Sequence, residues 1–253
     1  MLKNKINNKV CLAVLVIIFL FIGLGLSVDS DIQKGLVTHV DGSAKKQKLA
    51  DVQWTNVELN TEVAGGERVR TFVKSRAELE LAELDKIRMA PKTTIDILKL
   101  YEETREQKRE TQVLLQEGDL WANVAKKADN MSFSIGTPIA AAAITGTTLR
   151  MSVGNDSTSE LKVYKGEVII TNAPESEDVV PKSIVPYEIE GPHEIPGPRE
   201  VTLEEWALIV KSMQKVKINN KGQVTYSGDF ASADSDENTE WVRWNLQQDK
   251  LEK

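Results

Sequence analysis

Short apolar runs of period two, cut at close intervals by turn residues, constrain this chain most. Leu36-Val37-Thr38-His39-Val40 alternates and stops at Asp41-Gly42. Gly65-Gly66 opens the next unit, where Val69, Thr71 and Val73 alternate with Arg70 and Phe72. Leu79 and Leu81 alternate with Glu78, Glu80 and Ala82; Ile87 and Met89 follow, then the Ala90-Pro91 turn, then Ile95 and Ile97. Alternation at that period puts one face of a strand on a core and the other in water. Ala77–Leu84 also contains good helix formers, but the turns come too often for a helix of ordinary length. The expectation is strand there, and a rolled or solenoid-like stack of short strands for the body.

A weak internal repeat fits that architecture. Leu115-Gln-Glu-Gly118-Asp-Leu120 and Val163-Tyr-Lys-Gly166-Glu-Val168 share one pattern, 48 residues apart. Glycine inside a strand pattern marks a bulge or tight bend, so the two predict equivalent corners. Between them, Ala140–Ala143 follows Pro138 and leads into β-branched residues, which predicts a strand in a place that admits only methyl groups.

The N-terminus sets location. Val10–Leu26 is a run of 17 residues without charge, and extension to Val28 gives 19, about 28 Å of helix against a hydrocarbon core of about 30 Å. Lys3, Lys5 and Lys9 precede it; Asp29 and Asp31 follow. The positive-inside rule keeps residues 1–9 cytoplasmic, makes 10–28 a single-pass anchor in the cytoplasmic (inner) membrane, and exports the rest. A cleaved signal, with Gly25-Leu26-Ser27 at the cleavage site, is the alternative and gives a periplasmic or secreted protein. Both readings export residues 29–253. The lone cysteine, Cys11, lies inside the run, so neither a disulfide within the chain nor a cysteine-based zinc site can form. Beyond residue 26, 29 basic side chains face 38 acidic ones, a net charge of −9. That repels phosphate and disfavours nucleic acid as a partner.

Gly66-Glu67-Arg68-Val69-Arg70-Thr71, Ser75-Arg76-Ala77-Glu78-Leu79-Glu80-Leu81, Ile87-Arg88-Met89-Ala90-Pro91, Leu115-x-Glu117-Gly118, Thr137-Pro138-x-Ala140 leading to Ile144-Thr145-Gly146-Thr147, and Tyr164-Lys165-Gly166-Glu167-Val168 resemble, in this order, the FecR-like domain. The resemblance runs from about residue 35 to 189. It implies an extracytoplasmic all-β domain used in envelope signalling and assembly, with no catalysis and no cofactor. Two departures stand out. Thr145 occupies a place where the family usually has a basic residue, which puts any contact of that side chain in doubt. Only nine residues, Met1–Lys9, precede the apolar run, too few to bury a core, so the family's cytoplasmic sigma-factor-binding part is not expected here.

The C-terminal part differs in composition. Five of the eight prolines fall in 181–198 and predict an extended linker over 190–200. Residues 201–253 then read as a small α+β segment. Thr202-Leu-Glu-Glu205 resembles a capping box opening a helix with Leu203, Trp206, Val210 and Met213 on one face. Val216–Ile218 and Val224–Tyr226 flank a hairpin turn at 219–222. The acidic loop Asp234–Asn238 leads into a last helix bearing Trp241 and Trp244 one turn apart.

Candidate sites are few. Asp234-x-Asp236-x-Asn238 has calcium-loop spacing, but Thr239 stands where glycine is needed and Asn245 where a bidentate glutamate is needed; a solvated loop capping the helix is the better reading. Ser43-x-x-Lys46 matches a nucleophile motif, but in a polar stretch and without partners. His39 shares a face with Val37 in simple alternation and reads as structural. With no phosphate loop, HExxH or GxSxG pattern, no enzyme is expected. Two surfaces remain. Trp206, Trp241 and Trp244 form either an aromatic platform for a sugar or a small satellite core, the second being favoured. Residues 101–112 carry seven charges and read as a solvated strand pair, or as a docking arm through Arg105, Lys108 and Arg109. The sequence thus predicts a membrane-anchored envelope module that engages a protein partner, with a glycan- or peptidoglycan-binding module as the alternative.

Overall fold

A computed structural model describes residues 34–81, 85–103, 108–126, 130–172 and 207–251. The expected anchor at 10–28, the linker at 190–200, Trp206, Arg105 and the side chain of Lys108 lie outside the described residues. The described elements are, in chain order, β1 (Lys34–Asp41), β2 (Ala44–Lys48), β3 (Thr55–Val57), β4 (Glu62–Ala64), β5 (Glu67–Thr71), β6 (Arg76–Glu80), β7 (Lys86–Met89), β8 (Thr94–Glu103), β9 (Lys108–Val124), β10 (Met131–Thr137), β11 (Ala140–Val153), β12 (Ser159–Asn172), β13 (Ala207–Lys211), β14 (Gln214–Ile218), β15 (Val224–Asp229) and the helix α1 (Glu240–Leu251). The expectation of a mainly β protein holds, with Ala77–Glu80 and the alanine run Ala140–Ala143 both in strands.

The registers resolve into two ladders. The first runs β15–β14–β12–β11–β9–β7–β6–β1–β4, and the second β13–β12–β11–β10–β9–β8–β5–β2–β3. All pairings are antiparallel except β9 with β10. Among the described residues, neither ladder closes on itself. The long strands β9, β11 and β12 belong to both, because each turns a corner midway. β9 pairs with β10 through Arg109–Leu114 and with β11 through Gly118–Val124. β11 pairs with β10 through Ala140–Ile144 and with β9 through Thr147–Val153. β12 pairs with β14 through Ser159–Val163 and with β13 through Glu167–Thr171.

Each corner carries a glycine at positive φ: Gly118 (98°), Gly146 (63°) and Gly166 (87°). At two of them space is as decisive as φ. A Cβ on Gly118 would stand 2.6 Å from the Thr93 Cα, and one on Gly166 would stand 2.6 Å from the Gly146 carbonyl oxygen. The internal repeat in the sequence is this device seen twice. Threonines stitch the bends: Thr93 Oγ1 accepts from the Asp119 N–H and donates to its carbonyl, each at 3.1 Å, and Thr147 Oγ1 donates to the Glu167 carbonyl.

One hydrophobic cluster joins the ladders. Val37, Leu79, Ile87, Leu120 and Met151 come from the first; Val69, Ile95, Val113, Ile135 and Ile170 from the second. All are at most 1% exposed, and burial of such a side chain is worth about 1.5–3 kcal/mol.

Two expectations are corrected. The helix predicted from Thr202 through Met213 does not extend over its described part: Ala207–Lys211 is strand β13, paired with β12 from Thr171↔Ala207 to Glu167↔Lys211. The second half of β12 offers a ladder edge, and the β-branched pair Ile209-Val210 suits a strand that buries Val210; this outweighs the helical periodicity. Met213 lies in the next turn with φ 64°. Val210, Val216 and Ile218 belong to the same core cluster as the rest of the sheet, and β13 and β14 extend the two ladders. Secondly, His39 does not share the face of Val37. A register shift between Val37 and His39 against β6 turns the imidazole to the outer face. The hairpin β14–β15 and the final helix form as expected, with Thr239 Oγ1 accepting from the Val242 N–H.

Candidate interaction site

The outer face of the first ladder carries one continuous cross-strand row. The registers place His39 beside Glu78, Glu78 beside Arg88, Arg88 beside Trp121, Trp121 beside Arg150, Arg150 beside Lys162, and Lys162 beside Lys215. Opposed residues on one face stand about 4.5–5.5 Å apart, so four cations share this row. A chain could not hold them there unpaired. Glu78 and Asp119 on the sheet supply some of the anions, and Asp236, Glu237 and Asp249 of the C-terminal segment the others.

Residues 230–251 lie over the row. Arg88, with no exposed surface, donates through Nε to Glu78 at 2.5 Å and through Nη1 to Asp249 at 2.6 Å. Trp121 Nε1 donates to the other oxygen of Asp249 at 3.1 Å. Arg150 donates to both oxygens of Asp119, which also accepts from Trp241 Nε1 at 3.1 Å. Lys162, 1% exposed, donates to Glu237 at 2.6 Å and to Asp236. Tyr164 OH donates to Glu237 at 2.7 Å, and its ring packs 4.3 Å from Trp121 and 5.3 Å from Phe230.

The row is fixed electrostatically. Burial pushes Lys162 toward its neutral form, but hydrogen bonds to Asp236 and Glu237 outweigh it and hold the ammonium above its ordinary pKa. Burial likewise opposes charge on Arg150, and Asp119 reverses the effect. For Tyr164, burial and then the bond to Glu237 both raise the phenol. Near neutral pH Lys162 therefore stays protonated and Tyr164 keeps its hydroxyl hydrogen, which leaves neither as a nucleophile or base. Among the described residues, no group of His, Cys, Asp and Glu is arranged to hold a metal.

Trp241 and Trp244 are half-buried on this row with rings stacked at 5.6 Å. Trp244 also meets His39 at 5.6 Å, with the Arg76 guanidinium 5.0 Å from its ring. Arg76 pairs with Asp41 and with Glu240 at the start of α1. Arg109 is half-buried at the far end of the β8–β9 pair, which continues to Glu103↔Lys108. Thr145 is exposed and lines an open recess of about 580 Å³ with Lys126, Gly146 and Lys165. Asp236 spends its carboxylate on Lys162, and Lys46 pairs with Glu67 at 3.0 Å.

Sequence reasoning missed Arg88, Arg150 and Lys162. The signal was there: Ile87-Arg88-Met89, Leu149-Arg150-Met151 and Leu161-Lys162-Val163 each set one cation between two core residues. Three such triplets on separate strands place three charges on one outer face.

Comparison with known proteins adds the following. Residues 67–169 match the family model described as FecR protein. No curated protein matches the chain. Two crystal structures of a putative anti-sigma factor from Parabacteroides distasonis, at 2.50 and 1.65 Å resolution, are similar to it at 12% and 13% identity with TM-scores of 0.42 and 0.43. Each alignment covers 64% of this chain and 59% of that one, so the likeness spans less than two thirds of those chains.

Proposed function

Residues 67–169 are a FecR domain, and on that premise we propose that the chain is a membrane-anchored, non-catalytic signalling or scaffold module of the bacterial envelope. Val10–Val28 is its anchor, residues 29–253 stand outside the cytoplasm, and its partner is another envelope protein. The observation that carries this reading is the state of the buried charges. Arg88, Lys162 and Tyr164 are committed to carboxylates of the C-terminal segment, and Arg150 to Asp119, which also accepts from Trp241 of that segment. Such pairing suits a rigid platform and leaves none of these four groups poised as an acid, a base or a nucleophile. The glycine corners at 118, 146 and 166 support a rolled stack, a form that presents its outer faces to partners.

The test is cross-linking of the full chain in intact cells. A discrete complex with an envelope protein is expected. Recovery of the uncross-linked chain alone, at native expression and with several cross-linker lengths, overturns the partner reading. The anchor is tested separately. Intact-mass analysis should find Met1 or Leu2 at the N-terminus and the protein in carbonate-washed membranes; an N-terminus near Val28 rejects a retained anchor.

A further inference from the structure

The second ladder carries, on its outer face, a polar recess of a different kind. Trp54, Arg68, Arg70, Thr94, Gln116 and Glu117 line a depression of about 170 Å³. Three neighbouring strands build its floor: Arg68 sits opposite Asp96, and Arg70 opposite Thr94, which in turn faces Glu117. Trp54 immediately precedes β3, in a loop tied down where the Asp51 carboxylate accepts from the N–H groups of Val52 and Gln53 and the Leu49 N–H donates to the Gly66 carbonyl.

The side chains are held in place and electrically balanced. Arg68 forks onto Asp96 through Nε at 2.5 Å and Nη2 at 2.8 Å, and Gln116 Nε2 donates to the same carboxylate at 2.8 Å. Arg70 Nη2 and Thr94 Oγ1 both donate to Glu117 Oε1, at 2.7 and 2.9 Å. Two cations and two carboxylates cancel. Within the described structure these bonds leave Arg70 Nε and Nη1, the Trp54 indole N–H, Gln116 Oε1 and Glu117 Oε2 with capacity for further bonds. Donors and acceptors therefore stand together beside one aromatic ring, prepositioned on a rigid sheet.

We infer that this recess binds a neutral saccharide unit, with Trp54 as the apolar contact and Arg70, Gln116 and Glu117 as hydroxyl partners. A sugar ring presents an apolar C–H face and a rim of hydroxyls that both donate and accept, which matches an aromatic flanked by fixed groups of both senses. An anionic ligand would meet Glu117 and Asp96. A purely apolar one would strand the arginine donors. Such a site is independent of whether the chain engages a protein partner, so either reading can fail alone.

The test is calorimetric titration of the full chain with a soluble neutral probe, the tetramer of β-1,4-linked N-acetylglucosamine, with maltotetraose as a second neutral probe and tetragalacturonate as an anionic one. A parallel arm uses co-sedimentation with insoluble peptidoglycan, which separates a wall glycan from a free oligosaccharide as the source. At least one neutral probe should bind; Trp54→Ala should weaken it about tenfold or more, Trp54→Phe less, and Arg70→Ala comparably. Unchanged thermal unfolding of each variant separates loss of contact from loss of fold. Absence of binding by both neutral probes and peptidoglycan up to about 10 mM sugar, binding confined to tetragalacturonate, or binding indifferent to Trp54→Ala overturns the inference.

Discussion

Arg88 and Asp249 lie 161 residues apart in sequence, yet the guanidinium of Arg88 donates to the Asp249 carboxylate at 2.6 Å from a position without exposed surface. One bond thus couples a strand near the start of the sheet to the last turn of the last helix. Glu78 holds the other side of the same guanidinium. The closing of the C-terminal segment over the cationic row turns on groups of this kind.

Breaking that pair should be costly and asymmetric. Arg88→Ala removes the guanidinium from between Glu78 and Asp249, leaves Glu78 only the Lys86 cation at 3.9 Å among the described residues, and should cost about 3–5 kcal/mol. Asp249→Ala leaves Arg88 its bond to Glu78 but strands the buried Trp121 N–H, and should cost about 1–3 kcal/mol. Chemical denaturation of the two variants measures both. A neutral Asp249→Ala would mean that α1 does not rest on the sheet in solution.

Stability should fall at both ends of the pH scale, for opposite reasons. Burial raises the Glu78 carboxyl, but bonds from Arg88 and then Thr38 outweigh it and leave it below its ordinary 4.5; the bond from Lys162 lowers Asp236 below 3.8. Groups depressed in the folded state stabilise above their unfolded values, and that contribution is lost as the pH falls through the folded ones. Lys162 and Tyr164 are raised above 10.5 and 10.0, so their contribution is complete below about pH 10 and is lost as the pH rises further. Melting temperature against pH should show a plateau between about pH 5 and pH 10. Glu78→Gln should flatten the acid limb and Lys162→Met the alkaline one; unaltered limbs would refute this assignment.

The glycines at the bends separate cleanly by substitution. Gly118→Ala must hold φ near 98° and push a methyl to within 2.6 Å of the Thr93 Cα, so strain and clash add, and a loss of about 3 kcal/mol or more is expected. Gly66 also has positive φ, but nothing lies within 4 Å of a Cβ there; Gly66→Ala should cost only about 1–2 kcal/mol. Equal losses in urea unfolding would remove close packing as the reason for the Gly118 corner.

A charge test addresses the cover itself. Lys162 makes ion pairs with both Asp236 and Glu237. Glu237→Gln, at a buried position that also accepts from Tyr164, should destabilise more than Asp236→Asn, whose side chain is 45% exposed, since water replaces the second interaction and not the first. Thermal unfolding of the pair decides the order.

The sequence alone determined the strands whose alternation is unbroken, because a period of two needs no partner to be read. β5, β6 and the hairpin β14–β15 are of this kind. It also marked two of the three corners, since glycine inside a strand pattern answers a local need for positive φ. It identified the last helix through the spacing of Trp241 and Trp244. Only the tertiary structure decided the rest. Ala207–Lys211 is a strand because β12 presents it with an edge, a condition that Leu208-Ile209-Val210 cannot carry in itself. His39 faces outward because one register shift against β6 reverses every side chain beyond it. Arg88, Arg150 and Lys162 become a row only when the ladder order brings their strands into one sheet; Asp119 answers Arg150 from within it, and Asp249 and Glu237 reach Arg88 and Lys162 from the far end of the chain. Charge pairing across such separations depends on register and on chain path, and neither is a property of any local stretch of sequence.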